Sequence, residues 1–192
     1  KVIKKNSYSL KKVENNTSYL FNLIKKNIST SIFSSLNHKF FHDMIKKKII
    51  NLYVIHQKTK ICTIITVVTV KNFVKLKYRI LYFFLMNPFN FFLNILKILK
   101  SISKGSIKNF DNSYLYLLHL IIFKKNFMSI SVKKKDQTIN FFFKHILKSF
   151  NTKSLFLCYE KNNLKADKFY LRNNFKVYNT NKNLVFIKKK IR

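Results

Sequence analysis

His38 and His42 stand four residues apart with Asp43 beside them. That spacing brings two imidazoles to one helix face and is the nearest the chain comes to a metal or acid–base cluster. No third ligand is evident and zinc sites need three or four, so the pair is expected on a solvated or polyanion-facing surface. The four Asp, two Glu and five His are otherwise scattered, without HExxH, a Gly-rich phosphate loop or paired carboxylates. Cys62 and Cys158 form no CxxC and read as reduced structural thiols; nothing around Cys158 supports a nucleophile. The residue types therefore lead to the expectation of a protein that is not an enzyme, binds no metal and needs no cofactor.

Neutralising phosphate is the chemistry that the side chains favour. Lysines cluster at 46–48, 124–125, 133–135 and 188–190, interleaved with aromatic and aliphatic residues. Lys and Arg total 39 against 6 Asp and Glu, a net charge of +33, yet 47% of the residues are hydrophobic, which argues for a packed core rather than disorder. Such a charge repels itself, so a polyanion is the expected partner, nucleic acid first and an anionic membrane surface second. Lysines would meet phosphates while short Ser and Asn side chains beside them reach sugar hydroxyls or base edges.

Lys, Asn, Ile, Phe and Tyr are abundant, whereas Gly and Pro occur once each and Arg only at 79, 172 and 192. The abundant residues have AT-rich codons, which points to an AT-biased genome such as that of a mitochondrion or, alternatively, a plastid. Lys1 to Lys12 carries no continuous apolar stretch, so no signal peptide is expected. The apolar windows at 81–99 and 114–123 are interrupted or short, so no transmembrane insertion is expected.

The elements that must position these residues follow from periodicity. Helices are expected at Thr17 to Asn27 and about His38 to Asn51, and Val, Ile and Thr favour strands over 52–55 and 61–76. Further strands are expected at 114–123, 127–132 and 154–159. A helix is expected at 138–150, with Phe141, Phe142, His145 and Ile146 inward. The fold class is α+β: an N-terminal extension (1–16), an N-terminal α/β subdomain (17–80), an insertion (81–92), a mainly β C-terminal subdomain (93–160) and a basic C-terminal extension (161–192).

With the strands placed, the chain resembles the universal eighth family of small-subunit ribosomal proteins. Val74-Lys75-Leu76-Lys77-Tyr78 is similar to the family's strand ending in Leu-Lys-Tyr. Ile102-Ser103-Lys104-Gly105-Ser106-Ile107-Lys108-Asn109-Phe110 resembles its Ser-Lys-Pro-Gly-Leu-Arg-Val-Tyr stretch, and Ser129-Ile130-Ser131-Val132-Lys133 follows at the separation of its Ser-Thr-Ser-Lys-Gly loop. Leu157-Cys158-Tyr159 resembles the closing strand.

The resemblance implies a structural constituent of the small subunit of a mitochondrial ribosome. Its partners would be small-subunit ribosomal RNA and neighbouring ribosomal proteins, with no small-molecule substrate. RNA contacts would come from Lys25, Lys26, Asn27, Ser103, Lys104, Ser106, Lys108, Phe110, Ser129, Ser131 and Lys133. Two alternatives stay open: another ribosomal protein, including one of the large subunit, and an accessory subunit of an organellar inner-membrane complex.

Overall fold

The computed structural model describes residues 2–15, 17–28, 32–87, 89, 91–94, 114–127, 130–180 and 183–190. Eight strands form one sheet: β1 (Ile3–Lys5), β2 (Tyr8–Val13), β3 (Asn51–Gln57), β4 (Lys60–Thr69), β5 (Tyr114–Ile122), β6 (Ser154–Glu160), β7 (Lys176–Thr180) and β8 (Leu184–Lys190), in the order β1-β2-β3-β4-β5-β6-β8-β7. Every neighbouring pair is antiparallel except β5 and β6, which are parallel. The helices are α1 (Ser18–Asn27), α2 (His38–Lys46), α3 (Val70–Leu85), α4 (Val132–Ser149) and α5 (Leu164–Arg172). The α+β class thus holds, with described residues from 3 to 190 contributing strands to a single sheet.

Helices cover both faces of the sheet, which explains the unbroken buried runs of β3 and β4 where a half-solvated strand would alternate. Tyr53 and Ile55 join Leu115, Leu117, Leu155 and Leu157 against Ile139, Phe142, Phe143 and Ile146 of α4 and Phe169 and Tyr170 of α5. Leu52, Val54 and Ile64 face the other way, against Leu20, Phe21 and Ile24 of α1, Phe41 and Met44 of α2 and Leu76, Ile80 and Phe84 of α3.

Several expectations are corrected. Strand propensity carries β4 only to Thr69, whose side chain accepts a hydrogen bond from Asn72 N at 3.3 Å and caps α3. Val74 to Tyr78 is therefore helix, because Leu76, Ile80 and Phe84 repeat at four-residue spacing and bury one helical stripe. The segment read as strand at 127–132 contains Phe127, which packs in the core, and the start of α4. The first residues form the β1–β2 hairpin, and the stretch beyond Glu160 builds α5, β7 and β8. Leu157-Cys158-Tyr159 lies inside the sheet rather than at its close.

His38 and His42, both half-buried, meet at one hydroxyl: His38 Nε2 lies 3.0 Å and His42 Nδ1 3.2 Å from that of the buried Thr17. The pair ties the start of α1 to α2. Left-handed backbone falls at Asn6, Lys48, Lys58, Asn151 and Asn174, with φ between 52° and 59°. Three of the five are Asn, the residue that after Gly best tolerates this region, as suits so glycine-poor a chain.

Phe142 is fully buried between α4 and the sheet, so Phe142→Ala should destabilise the fold by about 3–5 kcal/mol, read as a lowered urea midpoint at unchanged slope. A change near zero would mean that α4 is not packed as described.

Candidate active site

The parallel pair at the centre of the sheet is short. Tyr114, Leu115 and Tyr116 of β5 oppose Ser154, Leu155 and Phe156 of β6, and there the pairing stops. β5 continues to Ile122 hydrogen-bonded to β4 on its other edge, and β6 continues to Glu160 along β8. Each strand is held from outside while the two part from each other, so beyond Tyr116 and Phe156 they diverge in a V, with no strand between them among the described residues.

A β-bulge sits beside the parting. Thr66 of β4 opposes His119, but Val67 opposes Leu117, so Leu118 is the extra residue. The bulge resets the side-chain alternation. Leu115, Leu117, Leu120 and Ile122 lie on the α4 and α5 side, whereas Tyr116, Leu118 and Ile121 lie on the side of α1, α2 and α3. His119 joins that second side, its ring 4.7 Å from Phe33 in an edge-on contact. Only 8% of His119 is exposed and its Nδ1 has no hydrogen-bond partner, while burial pushes the imidazole down to about 4. A neutral imidazole with a free ring nitrogen is thus held at the bulge.

A cavity of about 410 Å³ opens on the α4 and α5 side, walled by Leu120 and Ile122 of β5, Lys124, Lys135 of α4, and Asn163 and Tyr170 at α5. Its size suits a small-molecule site. Lys165 and Lys168 add to its basic wall, and Arg172, also there, is engaged by the buried Asp136. Helix α4 begins at this cavity. Ser131 caps it, its hydroxyl accepting from Lys134 N at 3.3 Å, and its first turn carries Lys133, Lys134 and Lys135 with no acid. Three cations at the positive end of an 18-residue helix oppose the macrodipole, an arrangement relieved by a bound anion.

Tyr170 connects the cavity to the parting strands, its ring 5.5 Å from that of Tyr159 on β6. Burial, reinforced by Cys158 and Tyr159, raises its phenol well above the ordinary value, so it holds its proton. Tyr159 donates to Asp167 at 2.5 Å and leaves that carboxylate oxygen occupied. On the opposite face, the Tyr116 hydroxyl lies 3.1 Å from Cys158 Sγ and its ring stacks on Phe73 of α3 at 4.5 Å. A second hollow of about 480 Å³ lies against β2, lined by Lys11, Val13 and His56, on the far side of β3 and β4 from the parting strands.

Of the residues expected from the sequence, those described fall on both faces of the sheet. Lys25 and Lys26 close the last turn of α1, and Asn27 Nδ2 donates to Leu23 O at 2.8 Å; α1 lies on the sheet face opposite α4. Ser103, Lys104, Ser106, Lys108, Phe110 and Ser129 lie outside the described residues. Of the remaining two, Ser131 is the cap of α4 and Lys133 stands in its first turn. Sequence reasoning missed Leu120, Asn163 and Tyr170. The available signal was in the supposed tail, where Asn163 precedes Ala166, Phe169 and Tyr170 at helical spacing.

Neither a protein-family model nor a curated sequence matches the chain. Solved structures do. The chain is similar to the Campylobacter jejuni N-acetyltransferase PseH in complex with acetyl coenzyme A, with a TM-score of 0.56 and 17% identity over 95% of this chain and 98% of that one. It is similar to the spermidine N-acetyltransferase of Vibrio cholerae in complex with CoA and spermine, TM-score 0.57 and 11% identity over 97% and 96%. A GNAT-family acetyltransferase from Listeria monocytogenes matches over the whole of both chains, TM-score 0.52 and 11% identity.

These likenesses overturn the expected membership of the eighth ribosomal family, together with the expectations of a non-catalytic ribosomal constituent, of ribosomal RNA as partner and of no small-molecule ligand. The motif matches failed because short Lys- and Ser-rich strings recur by chance in so biased a composition; one of them is a helix, α3, and another the cap of α4. The chain has the fold of the GNAT acetyltransferases.

Between about pH 6.5 and pH 4 the unfolded chain accepts a proton that folded His119 refuses, so stability falls as pH falls through that window and levels off below it. The effect amounts to at most about 3 kcal/mol. Urea melts of the wild type and His119→Asn at pH 7 and pH 4 should show a smaller pH dependence in the variant; identical dependences would assign the titration elsewhere.

Proposed function

We propose that the chain is an N-acyltransferase that takes its acyl group from coenzyme A. The observation that carries this reading is the parting of β5 from β6 after three residue pairs, with a basic cavity at its mouth. The residues fit such a donor. Where two strands have parted from each other, their backbone edges can bond the amides of an extended pantetheine arm, as an added strand would. The first turn of α4, with Lys124 and Lys135, would hold phosphate groups. Bound there, the coenzyme supplies a thioester activated for attack by an amine.

The chain's own residues divide the remaining work between the two faces. Leu118, the bulged residue of β5, offers backbone polar groups at the point where the strands open, the right kind of group to stabilise a developing oxyanion. His119, neutral and with Nδ1 unpartnered, accepts a hydrogen bond from the N–H of an amine arriving on the side of α1, α2 and α3, and the proton that the amine sheds after attack passes to solvent. Tyr170, protonated in the cavity wall, gives a proton to the departing thiolate. Leu120 and Ile122 present an apolar wall that excludes water from the reacting groups.

The neighbours support an amine acceptor, since the Vibrio cholerae enzyme is named for spermidine and another similar structure, RimL, for the α-amino group of ribosomal L7/L12. Purified protein should release free thiol from acetyl coenzyme A in the presence of primary amines. Tyr170→Phe should fold normally and lose about a hundredfold or more in kcat with little change in KM for the donor. Absence of both coenzyme binding by calorimetry and thiol release over a panel of amines would remove the proposal.

A further inference from the structure

Helix α3 follows β4 and fully buries only Leu76, Ile80 and Phe84. Its opposite face carries Tyr78, Tyr82 and Leu85, spaced by four and three residues and pointing away from the protein; Tyr78 is 70% exposed. Beyond the end of the helix Phe89, Phe92 and Leu93 are exposed as well, Phe89 by 76% and Phe92 by 74%. Isolated exposed apolar residues are ordinary, but a contiguous row of large ones is rare on a freely soluble surface and marks a partner.

We propose that this face of α3 docks on an anionic lipid surface. Charge selects the occupant. The chain carries +33, and Lys71 and Lys75 stand exposed in the first turns of α3, so cations border the apolar stripe at its N-terminal end. The nearby acid, Asp43, is held by Lys47 at 2.8 Å and Arg79 at 3.4 Å and does not offset them. A second copy of the chain would bring the same surplus of positive charge against the stripe, which like-charge repulsion opposes. A nucleic acid would satisfy the lysines but leave six large apolar side chains in water. Anionic lipid answers both halves, with phosphate heads for the lysines and acyl chains for the stripe, and tyrosine rings suit the boundary between them. Among the described residues no helix is long and apolar enough to cross a membrane; the proposed contact is with one leaflet, with α3 lying along it.

The chain contains no Trp, so Tyr82→Trp places a single fluorophore in the stripe. With vesicles of phosphatidylcholine and phosphatidylserine its emission should shift to the blue and the protein should float with the lipid; phosphatidylcholine alone should give a much smaller effect. Leu85→Ser combined with Phe89→Ser leaves the charge unchanged and should weaken partitioning at least about tenfold. Equal partitioning of that variant would show binding by bulk charge and overturn the proposal. So would a blue shift produced by protein concentration alone, which would mean self-association, or by RNA in place of vesicles. Should the double variant fail to fold, the Tyr82→Trp shift decides, and its absence with anionic vesicles sinks the idea whether or not the protein transfers acyl groups.

Discussion

Two adjacent strands that stop pairing leave amides and carbonyls which something else has to satisfy, and much of this molecule is arranged around that constraint. β5 and β6 part after Tyr116 and Phe156 because each is already fixed on its outer edge, β5 by β4 and β6 by β8. The apolar side chains of Leu115, Leu117, Leu155 and Leu157 lock both arms to α4 and α5, so the opening is not free to close. The bulge at Leu118 belongs to the same device, since it turns His119 to the opposite face from the cavity without ending the strand. A site open to two sheet faces suits a reaction in which donor and acceptor enter from different sides.

Charge is distributed to suit that opening rather than the helix that borders it. Lys133, Lys134 and Lys135 in the first turn of α4 weaken the helix by themselves, and their value lies in the anion they would hold. Asp136 follows directly, buried, and engages Arg172 across from α5. Breaking that pair would leave a charge in the interior, so the contact couples the two helices that border the cavity. Lys189 makes a comparable link further along, its ammonium donating to Asn140 Oδ1 at 2.7 Å and to Asn173 O at 2.6 Å, with burial lowering its pKa.

The backbone shows how a fold persists with a single glycine. Tight turns that call for positive φ are made by Asn6 between β1 and β2 and Lys58 between β3 and β4, and the ends of α2, α4 and α5 by Lys48, Asn151 and Asn174. Each costs on the order of 1 kcal/mol for a residue with a Cβ, less for Asn, a burden that the two-sided apolar core can carry. Short motifs written in Gly and Arg are lost to such a composition, while the apolar pattern that builds the sheet survives. Tertiary likeness at 10–17% identity is what that combination produces.

The sequence by itself determined what depends on neighbours a few residues away. It set the α+β class, helices near α1 and α2, the apolar strand β5, the inward face of α4 through Phe142 and Ile146, and a strongly basic composition. Tertiary structure decided the rest. Val70 to Leu76 carries β-favouring residues yet folds as helix, because Thr69 caps it and the sheet supplies a surface for Leu76, Ile80 and Phe84. The wall of the cavity was also decided there: Lys124 and Lys135 meet Tyr170, distant in sequence, only once α5 packs beside β5. Periodicity records which face of an element is apolar, but which strand lies next to which, and where two of them separate, is set by packing between segments far apart along the chain.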